Sequence, residues 1–193
     1  MAITRLTIDG YGQVELNQVA FRRDGRIEAQ CKLFAGTKEA PGDFYNEYCE
    51  NGMLLAVDNI RRIVKKPVAG EAYPIALVYS AEVLYDERHQ ALKDFALSKD
   101  DFLPRLGYLS TQDKYTTNCL AYDTDEFADD AEFIEAVKEA TKAESAAPLF
   151  GTECELGVTL VTATVPETNK VKMIAAKATT MPDGQFAIKF HTV

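Results

Sequence analysis

Along the first third of the chain, short apolar–polar alternations are separated by turn residues. The run Ile3–Ile8 reads as a strand, closed by the turn Asp9-Gly10-Tyr11-Gly12. Val14, Leu16 and Val19 predict a second strand over Gln13–Phe21, with a break in alternation between Leu16 and Val19. Arg22-Arg23-Asp24-Gly25 follows, and Asp-Gly tolerates the positive φ of a tight hairpin turn. Arg26–Leu33 then puts Ile27, Ala29, Cys31 and Leu33 on one face. A β-hairpin over 13–33 is therefore expected, apolar on one side and wet on the other.

Residues 35–52 are rich in turn formers around the aromatics Phe44, Tyr45 and Tyr48. Met53–Lys66 fits a helical stripe through Met53, Val57, Ile60 and Val64, or two short strands split at Asp58-Asn59. Gly52 and the lack of a well-placed N-cap favour strands. Pro74–Tyr79 is unbroken and apolar, as expected of a central strand covered on both faces. Asp86–Leu97 is compatible with a short helix, with Leu92 and Phe95 turned inward.

One long amphipathic surface helix is predicted near 125–144, capped by Thr124 or Asp125. Its apolar stripe would run through Phe127, Ala131, Ile134, Val137 and Ala140/Thr141. Beyond Pro148 and Gly151, strands are predicted at Val158–Val165, Lys170–Ala178 and Gln185–Val193, with turns at Pro166–Asn169 and Pro182-Asp183-Gly184. With no repeat and no low-complexity linker, the expectation is a single globular domain over 1–193. Its class is α+β, mainly β, with antiparallel sheets.

Charge narrows the function classes. The 193 residues carry 21 Lys+Arg against 30 Asp+Glu, a net charge of −9. Residues 67–145 hold seventeen acidic and seven basic side chains, whereas the flanking thirds are nearly balanced. That sign disfavours nucleic acid as principal partner, because backbone binding needs a basic surface. No run of 18 apolar residues offers a membrane span, and Met1–Arg5 lacks a secretion-signal core. A soluble chain with no membrane partner is expected.

Catalytic and metal signatures fail on inspection. Cys31, Cys49, Cys119 and Cys154 have no ligand-like spacing and read as buried thiols. Asp123-Thr124-Asp125-Glu126 opens like a calcium loop, but Ala128 and Ile134 stand where the turn glycine and closing glutamate belong. Gly10-Tyr11-Gly12 has Glu15 in place of the third glycine of a dinucleotide fingerprint. His89 and His191 are the only histidines and neither has a nucleophile in reach of sequence logic. No cofactor, no metal and no enzymatic activity are expected. The candidate interface residues are the basic Arg22, Arg23 and Arg26 and the aromatics Tyr11, Phe44, Tyr45 and Tyr48, with Tyr73 beside them. Arg61, Arg62, Lys65 and Lys66 form a second basic group.

Several segments carry a resemblance. They are Tyr79-Ser80-Ala81-Glu82, Tyr85-Asp86-Glu87-Arg88, Pro104–Leu109, Asp113–Cys119 and Thr179–Phe186. Together, over residues 50–193, they resemble small virion structural proteins of tailed bacteriophages, of the head decoration or head-fibre kind. The resemblance implies a non-enzymatic, capsid-associated protein. It would work through repeated contacts with capsid or other virion proteins, as a homo-oligomer, in the virion and in host cytoplasm during assembly. The alternative is a small acidic intracellular binding module, or a phage-encoded inhibitor that masks a basic host surface.

Overall fold

The computed structural model describes residues 2–28, 30–80, 92–101, 103–142 and 147–193. The chain begins with β1 (Ile3–Arg5), β2 (Val14–Gln18), the single helical turn α1 (Phe21–Asp24), β3 (Ile27–Glu28) and β4 (Lys32–Leu33). β5 (Cys49–Glu50), β6 (Leu54–Asp58), β7 (Ile63–Lys65) and β8 (Ile75–Val78) follow. A 3-10 turn at Leu92–Asp94 leads to β9 (Ala96–Leu97), β10 (Leu106–Gly107), β11 (Lys114–Thr117) and β12 (Leu120–Asp123). The last part holds α2 (Asp130–Ala140), β13 (Phe150–Glu153), β14 (Thr159–Thr162), β15 (Met173–Thr180) and β16 (Phe186–Thr192).

Among the described residues these strands form an eight-stranded sheet in the order β1-β12-β14-β13-β15-β16-β11-β2. A six-stranded sheet runs β3-β10-β8-β6-β7-β4, and β5 pairs with β9. Pairing is antiparallel except for β12 with β14 and β4 with β7. The α+β, mainly β class is what the sequence predicts, with these two parallel pairs as the addition. β1 and β2 are the edges of the larger sheet, β3 and β4 those of the smaller.

The apolar strands are covered on both faces, as the unbroken runs require. Leu54, Ala56, Ile75 and Leu77 enter one core with Tyr115, Leu120, Tyr122, Met173 and Phe190. Their neighbours Leu55, Val57, Ala76 and Val78 enter a second core with Phe44, Cys119, Ala121 and Leu160. Alternation at period two is what divides one strand between two cores. Residues 53–66 are the two strands β6 and β7, and β16 lies inside its sheet between β15 and β11. Gly184 closes the β15–β16 turn at φ 88°, a conformation that favours glycine.

The hairpin expected over 13–33 does not form. Phe21–Asp24 is a helical turn ended by Gly25 in the left-handed region (φ 70°, ψ 20°). β2 joins the large sheet against β11, while β3 joins the small sheet against β10. A glycine at positive φ ends a helix as readily as it turns a hairpin. Fully buried Phe21 decides between them, because its ring packs onto Gly107 of β10, inside the smaller sheet. Arg26–Leu33 is accordingly two short pieces, with Ile27 41% exposed instead of inward.

The long helix is shorter than predicted. Asp123 holds the preceding residues in a turn, with its backbone oxygen accepting from the Phe127 N–H at 3.0 Å. The cap is therefore Asp129, whose side chain accepts from the Glu132 N–H at 2.8 Å, not Thr124 or Asp125. Glu132 reciprocates on the Ala128 N–H at 2.9 Å, much as in a capping box. Phe133 and Val137 are the buried positions, and Ala131 is exposed. Of the helix expected over 86–97, residues 86–91 lie outside the described residues. The remainder is the 3-10 turn and β9, with Phe95 buried and Leu92 exposed.

Candidate functional site

Tyr11 and Tyr48 are brought together from distant parts of the chain. Gly10 and Gly12 make this approach possible: a Cβ at Gly10 would meet the Lys93 carbonyl at 2.3 Å, and one at Gly12 the Asn51 carbonyl at 2.7 Å. The Tyr11 N–H is then fixed on the Lys93 oxygen at 2.7 Å. Its ring lies 5.3 Å from that of Tyr48, inclined at 59°. Tyr48 is 47% exposed and Tyr11 half-buried. Burial, then the charges of Tyr48 and Glu50, push the Tyr11 hydroxyl pKa up.

Beneath this pair lies an ion pair between β1 and β5. One arm of the Arg5 guanidinium donates to Glu50 Oε1 at 2.7 Å and the other to Oε2. The Gly12 N–H donates to the same carboxylate at 2.6 Å. Desolvation works against the arginine charge, but the Glu50 hydrogen bond and nearby negative charge outweigh it and raise its pKa. Lys66 Nζ reaches Glu47 at 2.6 Å and its N–H reaches Asp43 at 2.7 Å. Arg5, Glu47, Glu50 and Lys66 line a cavity of about 310 Å³ with the two tyrosines and with Met53, Leu156 and Val158.

The other predicted aromatics separate. Phe44 is fully buried in the second core, so it is no contact residue, which corrects the expectation. Tyr45 is half-buried beneath the Lys99 ammonium, 3.8 Å from the ring centroid. Tyr73 has Lys65 5.0 Å above its ring. The second basic group is used within the fold. Arg61 faces Asp58 at 3.9 Å, Lys65 faces Glu71 at 3.1 Å, and Arg62 donates to Gln30.

Arg22, Arg23 and Arg26 are all exposed, and Arg22 borders a cleft of about 370 Å³. The other walls are Val14, Leu16, Ile27, Tyr79, Ser80 and Arg105. The Arg105 guanidinium carbon is 5.8 Å from the Tyr79 ring centroid. The Arg105 N–H donates to Ser80 Oγ at 3.0 Å. Tyr79 is buried, and among the described residues its hydroxyl has no hydrogen-bond partner. Burial raises that hydroxyl's pKa, while the charges of Arg105 and Arg22 lower it, so both guanidiniums act on it.

Phe21 positions this cleft. Its ring lies 4.7 Å from that of Tyr79, at 46°. It also covers Gly107 so closely that a Cβ there would meet three ring carbons at 2.6 Å. Gly107→Ala is expected to cost about 1–3 kcal/mol, because a packed ring has nowhere to go. Urea unfolding measures this, and a loss below 0.5 kcal/mol by the same ~1 kcal/mol yardstick would show that Phe21 moves freely. Sequence reading missed Tyr79 and Arg105 as a pair. The available signal was a tyrosine ending an apolar strand, where its hydroxyl needs a polar neighbour.

The remaining chemistry is inert or structural. All four cysteines are buried thiols. Burial pushes the pKa of Cys31, Cys49 and Cys119 up, and that of Cys154 up to about 11, against nucleophilic use. Asp123 serves the turn before α2. His191 sits in β16 opposite Lys114, and His89 lies outside the described residues. Among the described residues no group of three His, Cys, Asp or Glu side chains is placed to hold a metal, and no helix is long and apolar enough to cross a membrane. Comparisons with protein-family models, curated proteins and solved structures found no match to this chain.

Proposed function

We propose that this chain is a non-enzymatic virion structural protein, attached to a tailed-phage capsid as a decoration, cement or head-fibre-base component. It acts through repeated protein–protein contacts with capsid or other virion proteins and with copies of itself. It resides in the virion, and in host cytoplasm during assembly. The observation that carries the reading is the Tyr11–Tyr48 pair. Two aromatic rings stand at the surface over a part-buried ion pair, so little ordering remains to be done on contact. Rigid tyrosines are what protein interfaces favour at their centres.

Mass spectrometry of purified particles tests it. The chain should be present at a fixed copy number per capsid, and particles without it would refute the reading. On particles that carry it, Tyr48→Ser should weaken attachment by about 2 kcal/mol, roughly 30-fold in affinity. Unchanged occupancy would remove Tyr48 from the interface.

A further inference from the structure

We propose that the cleft between α1, β2 and the ends of β8 and β10 binds an organic carboxylate carried on an apolar body. This does not depend on the virion reading. The cleft is lined by Arg22, Arg105, Tyr79 and Ser80 beside the hydrocarbon of Val14, Leu16 and Ile27, with the Tyr79 hydroxyl buried just behind its wall.

The polar groups point to an oxyanion. Neither guanidinium has an ion-pair partner among the described residues, and both lie close enough to Tyr79 to bias its proton. Arginine binds a carboxylate through two parallel N–H donors, a geometry that a lysine cannot reproduce. The Tyr79 hydroxyl is a buried donor left without an acceptor, and such groups are rare because each costs its full desolvation. Ser80 Oγ already accepts from Arg105, which leaves its proton to donate. Among the described residues, two cations and two hydroxyl groups thus line a space whose walls include no carboxylate.

The apolar wall sets the rest of the ligand. A cleft of about 370 Å³ falls in the range of small-molecule sites and far exceeds an inorganic ion. A bare phosphate would leave Val14, Leu16 and Ile27 against water. A ring or branched chain bearing one carboxylate covers them while its charge meets the arginines. Two sources share that chemistry, a free organic acid and the C-terminal carboxylate of a peptide ending in an apolar residue.

Titration calorimetry on the full chain tests this with four probes. They are 3-phenylpropionate, its neutral amide, the peptide acetyl-Gly-Gly-Leu-Phe with a free carboxyl end, and inorganic phosphate. At least one carboxylate should bind, and the amide should bind at least tenfold more weakly. Binding of the free acid alone assigns a small metabolite, and binding of the peptide alone assigns a chain terminus. Arg105→Gln and Arg22→Gln should each weaken binding tenfold or more. Tyr79→Phe should weaken it several-fold with no loss of stability, because the ring that packs on Phe21 is kept and only an unpartnered hydroxyl is removed. Equal binding of acid and amide, phosphate tighter than both carboxylates, variants that bind as the parent does, or no heat from either carboxylate would each overturn the proposal.

Discussion

Replacing Glu50 by leucine is expected to destabilise the fold by about 3–5 kcal/mol, the cost of breaking a buried ion pair from one side. Glu50 is 5% exposed and takes both arms of Arg5 together with the Gly12 N–H. Leucine replaces none of these acceptors. The Gly12 N–H is buried and would be orphaned, and the arginine would keep its charge with no counter-ion. The lower end of the range applies because the Arg5 side chain is 33% exposed and can turn towards water. Chemical denaturation measures the loss, and a change under about 1 kcal/mol, the median for a surface pair, would show the bridge to be an ornament of the surface. The double variant Arg5→Met/Glu50→Leu should recover only the part of the deficit that comes from the uncompensated charge, since the Gly12 N–H stays orphaned in it. In the single variant Tyr11, which precedes Gly12, should also lose its place on Tyr48. Ring-proton shifts of the two tyrosines would report this.

Phe133→Ala carries a comparable effect by a different route. Phe133 stacks on Tyr122 at 4.9 Å and 17°, and meets Phe127 and Phe186 edge-on at 5.5 and 6.4 Å. Truncating a fully buried phenylalanine leaves a cavity and costs about 3–5 kcal/mol. The loss is local before it is global. α2 has 11 residues and only Phe133 and Val137 are buried. A helix that short is marginal without its apolar anchors. Amide exchange in α2 should therefore accelerate well before exchange in β15 and β16, and uniform acceleration across all three would contradict the local account. Global stability measured by denaturant should fall in parallel, and a loss under about 1 kcal/mol would mean the site collapses to fill the void.

The sequence-based reading succeeded where one signal had one meaning. Pro74–Tyr79 is apolar throughout, and β8 is buried on both faces. Pro182-Asp183-Gly184 stands between two β-rich runs, and it turns β15 into β16. It failed where a signal serves two structures. Asp24-Gly25 suits a hairpin and a helix end equally, and the choice lay with Phe21 and the distant Gly107. The helix start was misplaced for a similar reason, because Thr124, Asp125 and Asp129 can each cap a helix and only the turn around Asp123 selects Asp129. Of the candidate interface, the pairing of Tyr11 with Tyr48 and the role of Arg22 beside Arg105 were illegible. Each joins residues far apart in the chain, and no local periodicity encodes such a meeting. Within the acidic middle, Lys138 pairs with Glu135 and Lys142, just past the end of α2, with Glu139.

The four outermost strands of the two large sheets, β1 to β4, all come from residues 3–33, and they pair with β12, β11, β10 and β7. Synthesis runs from β1 towards β16, so three of these four strands are made well before the neighbours they need. β4 can pair once β7 is made, but β3, β2 and finally β1 must wait for residues 107, 117 and 123 in turn. During that interval every ladder closed so far has an open, hydrogen-bonding border, the kind of border along which separate chains join. One stretch of about thirty residues, by the strand-capping logic of natural sheets, thus acts as a late clasp for both layers. Whatever delays its docking leaves two sticky rims at once.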